Sequence, residues 1–227
     1  MARNVRSSSR GGNRSRRPRV LIFGESINDT AALKELAEAL KPSLAGRVQT
    51  RRQPLVLIKD ASPRDVPDRA ARIVAAVKAD EVAGPVCGVI AHEDCDNCEP
   101  HDLDVANKIE AALAPIQAEV HAVVPAWELE AWWFLWPDAV AATHPTWRKP
   151  DDYVGRRVGL VQNAKEEFAR CVSPRGRRDA RRRVRPYSEA DSVLIARKVR
   201  ELGIADSPSA ESASYDRFRA RLTVCAA

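Results

Sequence analysis

The chain has 227 residues, 44% hydrophobic and 30% charged, enough for one sizeable core and too apolar for a disordered or fibrous protein. Lys and Arg number 37 against 31 Asp and Glu, a formal charge of +6, but the excess is local. Residues 1–19 carry seven Arg and no acid, residues 170–185 carry eight Arg and one Asp, and everything else is net acidic. The composition excludes a uniformly basic protein and describes an acidic body with two basic segments.

No apolar run approaches the ~20 residues of a membrane span. The first 19 residues offer only Met1, Ala2 and Val5 as apolar side chains, so a secretory core is not expected and the expected location is cytoplasmic. The five Cys, at 87, 95, 98, 171 and 225, have no spacing of a secreted disulfide framework and are expected to be reduced.

In chain order, residues 1–19 read as a disordered Arg-rich tail. V-L-I-F at 20–23, ended by Gly24, predicts a buried strand, and the apolar spacing of Ala32, Leu33, Leu36, Ala37 and Leu40 predicts a helix over 29–40, closed by Pro42. L-V-L-I at 55–58 predicts the second strand and 67–81 the second helix. V-C-G-V-I-A at 86–91, a helix at 103–113 and V-H-A-V-V at 120–124 complete an alternating series. Strands apolar on both faces and separated by helices imply a mostly parallel sheet of four strands covered on both sides, an α/β core over 20–125. Residues 126–227 turn Trp-rich and then Pro-broken. Predicted helices at 158–172, 189–202 and 214–224 make this half a helical extension packed on the core.

In such a sheet every strand presents its carboxyl end on one side, where ligands bind. Acids fall at those ends: Glu25 in F-G-E-S, Asp94 and Asp96 in A-H-E-D-C-D, and Glu128 and Glu130 in P-A-W-E-L-E-A-W-W. In an extended segment residues i and i+2 face one way, so Asp94 and Asp96 are expected to aim at one point. Crowded carboxylates repel, a divalent cation removes that cost, and a D-x-D pair suits Mg²⁺ or Mn²⁺. Glu25 would orient or deprotonate a nucleophile, or ligate a metal itself. Asp29 reads as a helix N-cap.

The stretches I-F-G-E-S-I-N-D-T-A-A-L-K-E-L and I-A-H-E-D-C-D resemble the two signature motifs of the TOPRIM fold, found in topoisomerases, bacterial primases and OLD-type nucleases. The continuation V-V-P-A-W-E-L-E-A-W-W-F and P-Y-S-E-A-D-S-V-L-I-A resembles an uncharacterised prokaryotic TOPRIM-related family allied to the OLD nucleases. The resemblance implies a TOPRIM-like, Rossmannoid core in which Glu25 is the TOPRIM glutamate, Asp94 and Asp96 the metal-binding pair and Glu130 an auxiliary acid. Many OLD-type proteins carry an ATPase domain, but this chain has no G-x-x-x-x-G-K-[ST] loop, so an ATPase would be a separate partner.

Other signals compete in the same region. His92, Cys95, Cys98 and His101 are ligand types for Zn²⁺, yet ten residues leave little chain to wrap a metal, so a zinc site is not expected. Trp132, Trp133, Phe134 and Trp136 either pin a helix to the sheet or form a base-stacking platform. On a helix Glu128 and Glu130 diverge by about 200°, so only one faces the cleft, and Glu130 is the choice. The Arg run, including Arg175, Arg177, Arg178, Arg181, Arg182 and Arg183, would clamp nucleic-acid phosphate, DNA in the first instance, without reading sequence. Tyr187, Glu189 and Asp191 have no assigned chemistry, and Ser188 reads as a helix cap. Three functions stay open: an OLD-like metal-dependent nuclease in defence or repair, a non-catalytic nucleic-acid-binding subunit, and a zinc-stabilised interaction module.

Overall fold

A computed structural model describes residues 17–173 and 185–222. Residues 1–16 of the Arg-rich tail and Arg175, Arg177, Arg178, Arg181, Arg182 and Arg183 lie outside the described residues, while Arg19, expected in the tail, opens the first strand. Four strands, β1 (Arg19–Phe23), β2 (Val48–Arg51), β3 (Val86–His92) and β4 (Glu119–Val123), form one all-parallel sheet in the order β2-β1-β3-β4. The chain adds β2 on one side of β1 and then crosses to place β3 on the other. The strand order therefore reverses between β1 and β3, and a crevice opens beyond their carboxyl ends.

Strand alternation assigns the two faces. Val20 and Ile22 of β1 and Ile90 of β3 point into a core shared with α1 (Ile27–Leu40). Leu21, Phe23, Val89 and Ala91 point into a second core under α2 (Val66–Ala83) and α3 (Asp102–Leu113). Helices therefore cover both faces, as the both-sides-apolar strands require.

The second strand is not where the apolar run placed it. The ladder beside β1 is V-Q-T-R, while 55–58 is irregular backbone whose Val56 and Ile58 side chains fill the α2/α3 core. Edge position explains the difference: β2 has one ladder partner and only half-covered faces, so its polar side chains are tolerated and used. Arg51 and Arg19 both reach Asp80 on α2, with Arg51 Nε 2.7 Å from Asp80 Oδ2. These contacts tie the edge strand to the helix that follows it.

The second half supplies α4 (Glu130–Trp133), α5 (Pro137–Thr143), α6 (Ala164–Val172), α7 (Ala190–Leu202) and α8 (Ala213–Arg221). The helix expected over 158–172 is split, because Asn163 adopts a left-handed φ of 48° between a 3₁₀ turn (Val158–Leu160) and α6. α7 lies along α1, where Arg200 bridges Glu35 and Glu38. Trp132, Trp133 and Trp136 are buried in the same core as β1 and α1, and their indole N–H groups donate to Ser214 Oγ, Ser192 Oγ and the Ile204 carbonyl at 3.0, 3.1 and 3.0 Å. The Trp cluster therefore pins α4 to the sheet and to α7 and α8. Buried this completely, these three rings present no face for bases to stack on.

Candidate metal centre

Three chain segments meet at the crevice between β1 and β3. Phe23 of β1 pairs with Ala91 of β3, and His92 with Val123 of β4, which sets Gly24-Glu25, Glu93-Asp94 and Val124 at one level. Beyond β3 the alternation of the strand continues. His92 and Asp94 face the α1 side, while Glu93 faces the α2/α3 side and accepts the N–H groups of Ile58 and Lys59 on its two oxygens.

Asp29 completes the α1 side. Ser26, not Asp29, is the N-cap: its Oγ accepts the Asp29 N–H at 3.1 Å. Asp29 thus occupies the third helical position, and its carboxylate turns towards His92. Ligand atoms of Asp29, His92 and Asp94 lie within 4.8 Å of one another, the one such His/Cys/Asp/Glu group among the described residues. His92 Nε2 stands 3.8 Å from Asp29 Oδ2 and 3.7 Å from Asp94 Oδ1. It is buried with no hydrogen-bond partner. These three side chains could hold a metal ion: an orphaned imidazole nitrogen and two mutually repelling carboxylates are the donors that a divalent ion satisfies.

The D-x-D pair does not close on one point. Asp94 Oδ1 turns inward and accepts the Leu129 N–H at 3.1 Å. Asp96 has a left-handed φ of 53°, and its exposed carboxylate pairs with Lys59. The left-handed turn is held by Trp127, whose carbonyl accepts the Asp96 N–H at 2.9 Å and whose N–H donates to Asn97 O at 2.7 Å. The i, i+2 rule therefore joins Asp94 to His92 on the extended side, because the chain leaves extended geometry before Asp96.

Electrostatics bind the remaining acids to this centre. Burial raises Asp94 well above the usual carboxylate range, Asp29, Glu25 and Glu130 add to the rise, and His92 opposes it. Glu25 is raised by burial against the opposing pull of His92 and Lys59. Burial favours a raised Asp29 too, but His92 and Ser26 prevail and hold it below its ordinary value. Burial alone would depress His92, yet Asp29, Asp94 and the Val123 carbonyl together push it up to about 9.

Glu130 begins α4, and its Oε1 accepts the Tyr187 hydroxyl at 2.8 Å. Burial pushes Glu130 up to about 7 despite that bond. Tyr187 is in turn 2.7 Å from Ser192 Oγ, the acceptor of Trp133. Asp191, fully buried, accepts from Ser188 N and Oγ at 2.9 Å, pairs with Arg185 and contacts His144 Nε2 at 3.1 Å. The Y-S-E-A-D-S block thus anchors α7 and holds Glu130, reversing the expected cap: Asp191 accepts from Ser188. Burial raises Glu128 as well, Lys165 opposes the rise, and Glu128 in turn adds to the rise of Glu130.

His92, Cys95, Cys98 and His101 do not form one cluster. His92 Nδ1 is on the Val123 carbonyl and its Nε2 faces Asp29 and Asp94, while Cys95 and His101 line an open cavity of about 270 Å³ with Lys59 and Asp96. Asp29 and His92 are the site residues that sequence reasoning passed over. The S-x-x-D capping pattern at 26–29 and the i, i+2 partner on the strand side of Asp94 were the signals that could have found them.

Two outcomes test this geometry. Gly24 backs the His92 ring so closely that an added Cβ would lie 2.7 Å from Thr30 Cγ2 and 3.2 Å from His92 Cδ2. Gly24→Ala is expected to cost about 1–3 kcal/mol in urea denaturation, and an unchanged midpoint would contradict the packing. Glu130 has a folded pKa of about 7 against an ordinary 4.5, so the folded state binds its proton more tightly. Its contribution is complete below about pH 4.5 and is lost as pH rises through about 7, worth at most about 3 kcal/mol. In EDTA, wild type should lose more stability between pH 5 and pH 8 than Glu130→Gln; parallel profiles would refute the assignment.

Comparison with family models, curated proteins and solved structures returned no match to this chain. What fold and site define is an α/β protein with an open all-parallel sheet and a carboxylate–imidazole centre at its strand-order reversal.

Proposed function

We propose that the chain is a metal-dependent phosphodiester hydrolase acting on nucleic acid, a TOPRIM-like protein of OLD-nuclease character. The observation that carries the reading is the meeting of Asp29, His92 and Asp94 at the β1/β3 crevice, with Glu25 near enough to add to the rise of Asp94, a carboxylate whose charge burial opposes. The G-E and D-x-D motifs that resemble TOPRIM lie at that crevice.

Asp94 and Asp29 would hold the ion, Mg²⁺ or Mn²⁺. When bound, such an ion lowers the pKa of water and neutralises the scissile phosphate. Glu25, half-buried and raised in pKa, takes the proton of the attacking water on its carboxylate. Lys59 is fixed at the rim from two sides: Glu93 accepts its N–H, and Lys108 Nζ donates to its carbonyl at 2.8 Å. Its ammonium, now on Asp96, exchanges that partner for a phosphate oxygen when substrate arrives. Glu130, held by Tyr187, adds to the negative field around Asp94. The Arg-rich 170–185 segment supplies phosphate affinity that the acidic centre lacks.

Supercoiled plasmid incubated with the full chain and Mn²⁺ or Mg²⁺ tests the reading. Nicking that EDTA abolishes is expected. Salt-sensitive DNA binding with no cleavage under any metal would instead make the chain a binding subunit.

A further inference from the structure

We propose that His92 is itself a metal ligand through Nε2, and that with Asp29 and Asp94 it makes this centre selective for a first-row transition ion such as Mn²⁺ over Mg²⁺. The inference rests on reading this cluster as a metal centre, and it does not depend on nuclease activity.

The tautomer is fixed by the fold. His92 Nδ1 lies 3.0 Å from the carbonyl oxygen of Val123, its register partner across the β3–β4 ladder. A carbonyl only accepts, so Nδ1 carries a proton in either charge state, and Nε2, facing the acids, is the nitrogen that ligates an ion once its own proton leaves. This arrangement, a ring N–H on a backbone carbonyl with the other nitrogen free, is how proteins orient ligating histidines.

The distances are those of a loose ion pair in the metal-free protein and are also short enough for a shared ion. Nε2 stands 3.8 and 3.7 Å from the Asp29 and Asp94 oxygens, beyond hydrogen-bonding reach for either. Two donors bound to one ion at about 2.0–2.2 Å lie about 2.8–3.8 Å apart as the angle between them runs from roughly 90° to 120°, so a small inward movement of the carboxylates brings all three onto one ion. Thr30 and Gly24 close the ring in, and the ring is fully buried, so nothing else among the described residues meets Nε2.

Ligand chemistry then sets the ion. Mg²⁺ prefers oxygen donors and retains its waters, whereas imidazole suits the later divalent ions. A divalent ion that displaces the Nε2 proton leaves a neutral imidazole and two carboxylates, which together balance its charge.

The test uses the full-length protein and the metal alone. Calorimetric titration with MnCl₂ and MgCl₂ is expected to show at least tenfold tighter Mn²⁺ binding. Electron spin-echo modulation of the Mn²⁺-loaded wild type is expected to show a coupled imidazole nitrogen, a readout that needs no variant to fold. His92→Gln should remove both the nitrogen coupling and the Mn²⁺ preference, and Cys98→Ser should change neither. Equal affinities, a Mn²⁺ signal without nitrogen coupling, or loss of binding in Cys98→Ser would overturn the assignment. Nitrogen coupling without plasmid cleavage keeps it and removes the nuclease. Cleavage supported equally by Mg²⁺ with no nitrogen coupling does the reverse.

Discussion

Asp94→Asn is expected to do two opposite things: to raise the melting temperature of the metal-free protein at pH 8, and to abolish metal-dependent cleavage. The asparagine keeps an oxygen for the Leu129 N–H, so the loop after β3 retains its anchor. What disappears is a carboxylate whose charge burial opposes and Asp29, Glu25 and Glu130 repel, effects that together outweigh the attraction of His92. Relief of about 1–2 kcal/mol corresponds to roughly 2–8 °C in a chain of this size. Cleavage should fall by more than the about 10- to 100-fold that loss of an outer partner of a metal ligand costs. Stability that drops together with activity would mean Asp94 is a structural acid, and equal cleavage by variant and wild type would sink the nuclease. The opposed signs are the signature of a group retained for function against its own folding cost.

Glu93→Ala is expected to destabilise the protein by about 3 kcal/mol and to release Lys59 from the rim. Glu93 is almost fully buried, and its two oxygens are the acceptors for the Ile58 and Lys59 N–H groups of an irregular segment without ladder partners. Each donor left unsatisfied costs ~1–3 kcal/mol. The removal of the carboxylate gives part of this back, because burial has already pushed Glu93 up to about 7. Urea denaturation reads the total, and amide exchange at Ile58 and Lys59 reads the location. A change below about 0.5 kcal/mol with both amides still protected would show that Val56 and Ile58 hold the segment by packing alone.

These two neighbours, one residue apart, show how far sequence reaches. That acids follow the third strand was legible in A-H-E-D-C-D, because an apolar run ended by charge marks a strand end in a parallel sheet. Which acid faces which core was not. It depends on where extended geometry stops, and Trp127 ends it by binding the backbone at Asp96 and Asn97, from a segment some thirty residues later. The same holds for L-V-L-I at 55–58: its apolarity correctly announced burial, but whether backbone joins a ladder depends on a neighbouring strand, and β1 was already paired with V-Q-T-R.

The sequence by itself determined the α/β class, the parallel sheet and the gathering of charge at strand ends. Periodicity and composition encode those locally, residue against near neighbour. Only the tertiary structure decided the ligand set, because Asp29 and His92 reach Asp94 from α1 and β3. A side chain's partner is a matter of three-dimensional distance, and the strand-order reversal between β1 and β3 is what brings those distances down.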